Sequence, residues 1–273
     1  MEHIGPFMFN GIRFAIGTVS LLPLALIRRR TAGINGRYGG TAMTGLLKGG
    51  AVCGACLFLG SSFQQLGIVY TSAGNAGFVT GMYVVFVPFI GLFFGQSSGR
   101  GRWAGILLSV TGLYLLSVNE GFRMHPGDGL VLISAVFWAL HMLAVGHYSP
   151  KTDPVLLSIV QFSVCAFLSL CAGLLSEDYS QAMVTNALVP LLYGGLMSVG
   201  VAYTLQVSAQ RTAHPAHAAI ILSLEGAFAA LGGWLLIGET MTPRALFGCA
   251  LMLSGVIAAQ WDTILKAKPA PGT

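Results

Sequence analysis

The sequence predicts an all-α membrane protein: an inverted repeat of five-helix units, with nine transmembrane helices present of an expected ten. Three observations predict it. First, 55% of the 273 residues are hydrophobic and only 8% are charged, against about 25% charged in a soluble domain. With a mean hydropathy of +0.76, so few charges cannot cover a water-facing surface, whereas lipid tails accept apolar side chains. Second, nine apolar stretches reach or approach the roughly 20 residues that span a bilayer. Third, the two halves of the chain carry the same landmarks in the same order.

The stretches lie near 5–27, 46–69, 72–95, 103–119, 128–147, 154–175, 187–209, 215–237 and 244–264. Short connections make sequential helices antiparallel neighbours. The first stretch ends in Arg28, Arg29 and Arg30, which marks that side as cytoplasmic. Alternation then brings Arg37, Lys48, Arg100, Arg102, Lys151, Arg211, Lys266 and Lys268 to the same side. Only Arg123 and Arg244 fall opposite, and Arg13 lies within a helix. One helix more or fewer would scramble this division. The N-terminus is expected outside and the C-terminus inside, followed by a disordered cytoplasmic tail over 265–273. No cleavable signal peptide is visible, because no basic segment precedes residues 4–27.

The net charge of +5 is not a nucleic-acid signature, since the cations sit at the ends of apolar stretches. Cys53, Cys56, Cys165, Cys171 and Cys249 all lie inside apolar runs. Cys53 and Cys56 form a C-x-x-C, but redox work needs a thiol whose surroundings favour the thiolate, and packing is the expected role.

The internal similarity sets Gly95-Gln96 through Gly105 to Gly112 over Gly238-Glu239 through Gly248 to Gly255. Both copies hold G-x6-G on a helix that follows a polar turn. Asn75-Ala76-Gly77-Phe78 sits over His217-Ala218-Ala219-Ile220, Tyr70-Thr71 over Arg211-Thr212, and Gln65 over Gln206. Gly5-Pro6 sits over Asp153-Pro154, and Arg13-Phe14 over Gln161-Phe162. A unit of five helices enters the membrane upside down when it is repeated, and such inverted repeats characterise secondary transporters. The expected units are 1–119 and 120–264. The second begins with the stretch 128–147, and the first has no counterpart to it before Gly5-Pro6. One helix is therefore expected to be missing at the front.

These residues resemble the EamA-type branch of the drug/metabolite transporter superfamily. The resemblance rests on Gly5-Pro6-Phe7 with Arg13-Phe14, on Gln64-Gln65-Leu66-Gly67 with Tyr70-Thr71-Ser72-Ala73, and on Ala76-Gly77-Phe78 leading to Val87-Pro88. Glu225 and the Gly238-Glu239 turn followed by Gly248 and Gly255 complete it. It implies a ten-helix fold of two inverted repeats with both ends cytoplasmic, a central cavity, and transport of amino acids, metabolites or drugs, usually outward. The chain departs from the pattern in lacking the first helix, which in the family lines the cavity.

Polar groups at membrane depth are the candidates for binding substrate. Glu225 is foremost: it stands mid-helix between Ile220-Ile221-Leu222 and Ala227-Phe228-Ala229, where a carboxyl can hold a proton or face a cationic group. Ser134, Trp138 and His141 share a helical face by their spacing of four and three, offering a stacking surface and a titratable group. Trp138 matches the tryptophan often found in the first helix of an EamA-type repeat. Asn10 and Arg13 share a face of the first helix. Arg13 keeps its charge, so it needs an anion, carbonyl groups or the membrane interface. Gln64, Tyr83, Gln161, Tyr203 and Gln206 offer hydrogen bonds inside apolar runs, where joining helices is an equally ready role. His214 and His217 flank Pro215 at a helix start without a third ligand nearby, so no metal is expected, nor any cofactor. Gly45 with Gly49 and Gly101 with Gly105 form small-xxx-small faces for close helix approach.

The function expected is a secondary transporter, an exporter of small metabolites, amino acids or drugs across the cell inner membrane by alternating access. Expected partners are a small-molecule substrate, protons, the lipid bilayer and a second copy in a homodimer, with no nucleic acid. A truncated, non-transporting membrane subunit is the alternative. A membrane-embedded enzyme has less in its favour, because H-E-x-x-H, G-x-S-x-G and paired acids on one helix are all missing. No ATP-binding loop is present, so a gradient would supply the energy.

Overall fold

The structure, a computed structural model, describes residues 4–31, 40–71, 73–95, 100–118, 125–178, 180–237 and 242–266. Arg37, Arg123, Lys268, the Gly238-Glu239 turn and the tail beyond Lys266 lie outside the described residues. Among those described the chain is helical, with no strand. The helices are α1 (Pro6–Thr31), α2 (Gly40–Ile68), α3 (Ala73–Gly81), α4 (Tyr83–Phe93), α5 (Arg100–Ser117), α6 (Asp128–Tyr148) and α7 (Pro154–Ser176). They continue with α8 (Gln181–Asn186), α9 (Leu188–Tyr193), a π-helical stretch Gly194–Tyr203, and α10 (Thr204–Ala209). Last come α11 (Pro215–Leu222), α12 (Leu224–Gly232), a π-helical stretch Gly233–Ile237, and α13 (Pro243–Lys266).

Seven segments among the described residues are long and apolar enough to cross a membrane: Pro6–Arg28, Ala42–Ile68, Gly74–Phe93, Asp128–Lys151, Pro154–Ser176, Leu188–Ala209 and Pro215–Leu236. Helices α5 and α13 are the two further long ones, of 18 and 24 residues. The outer faces carry Phe93, Leu175 and Leu236, each more than 80% exposed. An apolar surface of that kind needs lipid around it, and the chain is a multi-pass membrane protein.

Expected as single helices, 72–95 and 215–237 are both interrupted, at Met82 and at Ser223. The physical reasons differ. At Met82 the bonds tighten to i→i+3, Met82 N to Val79 O at 3.2 Å and Val85 N to Met82 O at 2.9 Å, and Pro88 removes a further bond, to Val84, within α4. Ser223 donates its hydroxyl to the Ile220 carbonyl at 2.7 Å, a back-bond that bends helices.

Glycine governs how the helices pair. Helices α5 and α13 run antiparallel: a Cβ on Gly105 would come within 2.6 Å of the Gly255 carbonyl oxygen, and one on Gly248 within 2.6 Å of the Gly112 carbonyl. Gly105, Gly112, Gly248 and Gly255 are the glycines of the two G-x6-G segments, each pair packed on the other. Backbones this close gain dispersion contacts that lipid cannot replace. Helices α1 and α7 are also antiparallel and are joined at both ends. Glu177 accepts the Phe7 and Met8 amides at 2.8 Å each. At the other end Asp153 caps its own helix through Val155 and Leu156 and pairs with Arg28 at 3.4 Å. Helix α6 runs antiparallel to α2, with Tyr148 against Gly49, Trp138 against Gly60 and Val131 against Gly67.

Buried apolar clusters fill the centre. Phe14, Leu57, Phe162 and Val199 join α1, α2, α7 and the first π stretch. Val87, Ala139, Met142 and Ala219 join α4, α6 and α11. Leu113, Ala227 and Met252 join α5, α12 and α13.

Candidate functional site

A cavity of about 370 Å³ lies between α2, α3, α4, α5 and α12, within the size range of small-molecule pockets. Both helix interruptions open onto it: Gly81 and Tyr83 from one, Leu222, Ser223, Glu225 and Gly226 from the other. Continuing the alignment of Asn75 with His217 sets Gly81 over Ser223 and Tyr83 over Glu225. The interruptions thus fall at matching positions of the two halves, one residue apart.

Glu225 is the charged residue among the described residues of this cavity lining. It is the second residue of α12, exposed to the cavity, and makes no hydrogen bond or ion pair among the described residues. Tyr83 lies within electrostatic reach of Glu225 and of Tyr203. Gln64, on the cavity wall, connects it to α6. Its Nε2 donates to Thr80 Oγ1 at 3.1 Å, and its Oε1 accepts from Trp138 Nε1 at 3.3 Å.

Beyond Trp138 lies an aromatic and polar zone. The Trp138 ring centroid stands 6.0 Å from those of Tyr203 and of His141. Tyr203, the last residue of the first π stretch, stacks on Phe14 at 6.3 Å with 14° between planes. Single π turns displace side chains by one register step and recur at functional sites. His141 is buried, its Nε2 2.9 Å from Gln161 Oε1. A carbonyl oxygen only accepts, so the histidine proton sits on Nε2. That leaves His141 Nδ1 as a buried acceptor, and Gln161 Nε2 as a buried donor, both without partners among the described residues. Arg13 holds its guanidinium over the Phe9 and Phe14 rings at 5.5 and 5.1 Å, with Nε unpartnered. Its charge reaches Tyr203, as does that of Glu225. Such an arrangement can hold a polar group of either sign against aromatic faces.

The sequence candidates therefore divide three ways. Glu225, Tyr83 and Gln64 line one cavity; Trp138, His141, Gln161, Tyr203 and Arg13 form the zone beside it. Asn10 is fully buried, with both amide atoms unpartnered among the described residues, and is not part of the described cavity lining. Sequence reasoning missed Thr80 and Ser223. A threonine or serine in an apolar run ordinarily bonds its own helix, so neither residue stands out. The signal that was present is the alignment of Gly81 with Ser223.

At the far end of α3 a second polar group closes the chain on itself. The Asp128 carboxylate, 2% exposed, accepts from Thr71 Oγ1, from the His125 amide at 2.7 Å and from Asn75 Nδ2 at 3.4 Å. This ties the joint between α2 and α3 to the start of α6.

The chain matches the model of the EamA-like transporter family over residues 1–118 and 125–259. It is 33% identical over 258 residues to an uncharacterized transporter of Archaeoglobus fulgidus, covering 94% of this chain and 77% of that one. A WAT1-related chloroplastic protein of Arabidopsis thaliana is 25% identical, covering 92% of this chain and 62% of its own length. The uncharacterized transporter YwfM of Bacillus subtilis is 29% identical, covering 94% and 84%. A crystal structure of a protein matches the fold with a TM-score of 0.78 at 17% identity, covering 94% of this chain and 89% of that one. With a family match over nearly the whole length, and transporters among its relatives, the chain belongs to the EamA-like transporter family.

Proposed function

We propose that this chain is a secondary carrier that exports small metabolites, amino acids or drugs across the cell inner membrane, with its substrate site in the cavity at Glu225. The observation that carries the reading is the meeting of both helix interruptions, Met82 and Ser223, at one cavity that holds a carboxylate without a partner among the described residues. Interrupted helices at the interface of two repeats are where secondary carriers bind substrate. A carboxylate there can hold a proton in one state and a cationic group in the other, which makes protons the coupling ion.

The two units, 1–119 and 120–264, are read as inverted copies. What supports this is the reciprocity of α5 and α13: Gly105 meets Gly255, and Gly112 meets Gly248. An axis that exchanges two antiparallel helices in this way runs across them, in the membrane plane. Arg28, Arg102, Lys151 and Arg211 gather at one end of the bundle, read as the cytoplasmic one with the C-terminus beside it. A homodimer belongs to the same reading.

The test is counterflow into proteoliposomes, with labelled amino acids and cationic drugs, with and without a proton gradient. Wild-type protein should show gradient-driven flux of at least one compound, and Glu225→Gln should lose the dependence on the gradient. Flux and gradient dependence that survive in Glu225→Gln would remove Glu225 from the mechanism.

A further inference from the structure

Two opposite charges stand inside the bundle without pairing. Glu225 lines the cavity, and Arg13 lies in the aromatic zone beside it. Neither makes an ion pair among the described residues, with the other or with a third group. Arg13 belongs to the Pro6–Arg28 span. Its side chain lies against the first π stretch, its Cδ 3.6 Å from where a Cβ on Gly194 would stand, and its guanidinium rests over the Phe9 and Phe14 rings. Ring faces attract a cation, but they supply none of the oxygen acceptors that the five guanidinium N–H groups can use. No carboxylate, carbonyl or hydroxyl among the described residues supplies one either, and Nε is buried without a partner there.

Tyr203 lies within electrostatic reach of both charges. Its ring stacks on Phe14 and borders Trp138, and Trp138 donates to Gln64 on the cavity wall. Arg13, Tyr203, Trp138 and Gln64 are each half-buried, so a path of polar and aromatic side chains leads from the guanidinium to the cavity of Glu225. An unpaired charge at membrane depth is costly, and pairing Arg13 with Glu225 would relieve both. The fold leaves them apart. A ligand that carries both signs relieves the two together, whereas a simple cation relieves Glu225 alone and is repelled by Arg13.

We propose that Arg13 is a specificity-determining residue of the substrate site. It takes the carboxylate of a substrate whose ammonium group lies at Glu225, and so selects a zwitterionic amine over a simple cation. Tyr203 gives the same carboxylate a hydroxyl donor. This assignment rests on the transport reading, with Glu225 as its site.

The experiment is counterflow into proteoliposomes of the full chain. The probes are the common L-amino acids, each paired with its methyl ester and with the amine left when its carboxylate is removed. Wild-type protein should carry at least one amino acid with a KM about 10-fold below those of its ester and its amine. Arg13→Gln should raise the KM of the amino acid about 10-fold and spare the ester and the amine, whose flux shows that the variant is folded. Arg13→Lys keeps the charge and should keep most of the preference. Esters and amines carried by wild type as well as the amino acids are, or a preference unchanged in Arg13→Gln, overturns the assignment of Arg13 and leaves the transport reading standing. Loss of all flux in both Arg13 variants overturns it too, because Arg13 would then serve the fold alone. No flux of any compound by wild type overturns both readings.

Discussion

The two interrupted spans, α3–α4 and α11–α12, share a shape and differ in chemistry. Both break at matching positions and turn that break toward one cavity. Yet the first presents Tyr83 where the second presents Glu225. Their outer attachments differ as well. The start of α3 is held by a buried carboxylate whose oxygens are satisfied. The start of α11 is capped by His214, whose Nε2 lies 3.3 Å from Arg102 NH1, with His217 one turn on. The lesson is that backbone geometry is governed by small residues, proline and back-bonded serine. The glycines of the α5–α13 crossing occur in both helices because each packs on the other's backbone, whereas Pro88 and Ser223 each act in one span. Charge is needed once, and a carboxylate on both sides of one cavity would be two like charges in a medium of low dielectric.

The sharpest way to break the shared half of this comparison is to fill the crossing of α5 with α13. Gly112→Leu and Gly248→Leu each drive a side chain into the other helix's carbonyl, which no rotamer relieves. Each should destabilise the protein by about 3 kcal/mol, to a similar degree although they lie in different halves. The check is the unfolding midpoint in detergent. A large loss for one and none for the other would mean that the crossing is not reciprocal.

The chemical half is tested at the cavity. Glu225→Gln keeps size and removes the charge, so substrate held by that charge should lose about 2 kcal/mol, roughly a 30-fold weakening. Tyr83→Phe removes one neutral hydroxyl and should weaken binding by about 1 kcal/mol or less. Equal effects in a binding or flux assay would erase the distinction between the two spans.

How much of this was legible in the sequence follows from the same physics. The helices were, because apolar runs of span length admit few other structures in lipid. Glu225 was, because a carboxyl among Ile, Leu and Ala is conspicuous. Gln64 stood out for its polarity, but its partners Thr80 and Trp138 lie 16 and 74 residues away, and no local pattern encodes such distances. Asp128 did not stand out, since an acid in the first turn of a helix is what the helix dipole favours anywhere. Its importance comes from Thr71 and Asn75, brought to it by the fold. Arg13 and Asn10 share a face as their spacing requires, but that face meets Phe9, Phe14 and buried packing rather than the cavity of Glu225.

The Asp128 attachment offers a smaller effect. Asp128→Asn keeps one acceptor and loses the charge, so the hydrogen bonds from Thr71, Asn75 and the His125 amide weaken. The segment 73–81 should then exchange its amide hydrogens about 10-fold faster, while 215–222 stays as it was. Faster exchange in both segments would mean that the two spans open together, not independently.

The smallest effect lies at His214. Burial first, then Arg102 and His217, push this imidazole down from 6.5 to about 4. The folded protein therefore holds His214 neutral at pH values where the unfolded chain takes up a proton. By linkage, the stability that rests on the neutral form is complete above pH 6.5 and falls away as the pH drops toward 4. Asparagine at this position caps the helix as well as histidine does and does not titrate. His214→Asn should leave the unfolding midpoint at pH 8 unchanged within about 0.5 kcal/mol, and should flatten its decline between pH 6.5 and 4. The comparison is between variant and wild type at each pH. A slope identical in the two proteins would mean that the guanidinium and the two imidazoles do not press on one another, and that the ends of α3 and α11 differ less than their hydrogen bonds imply.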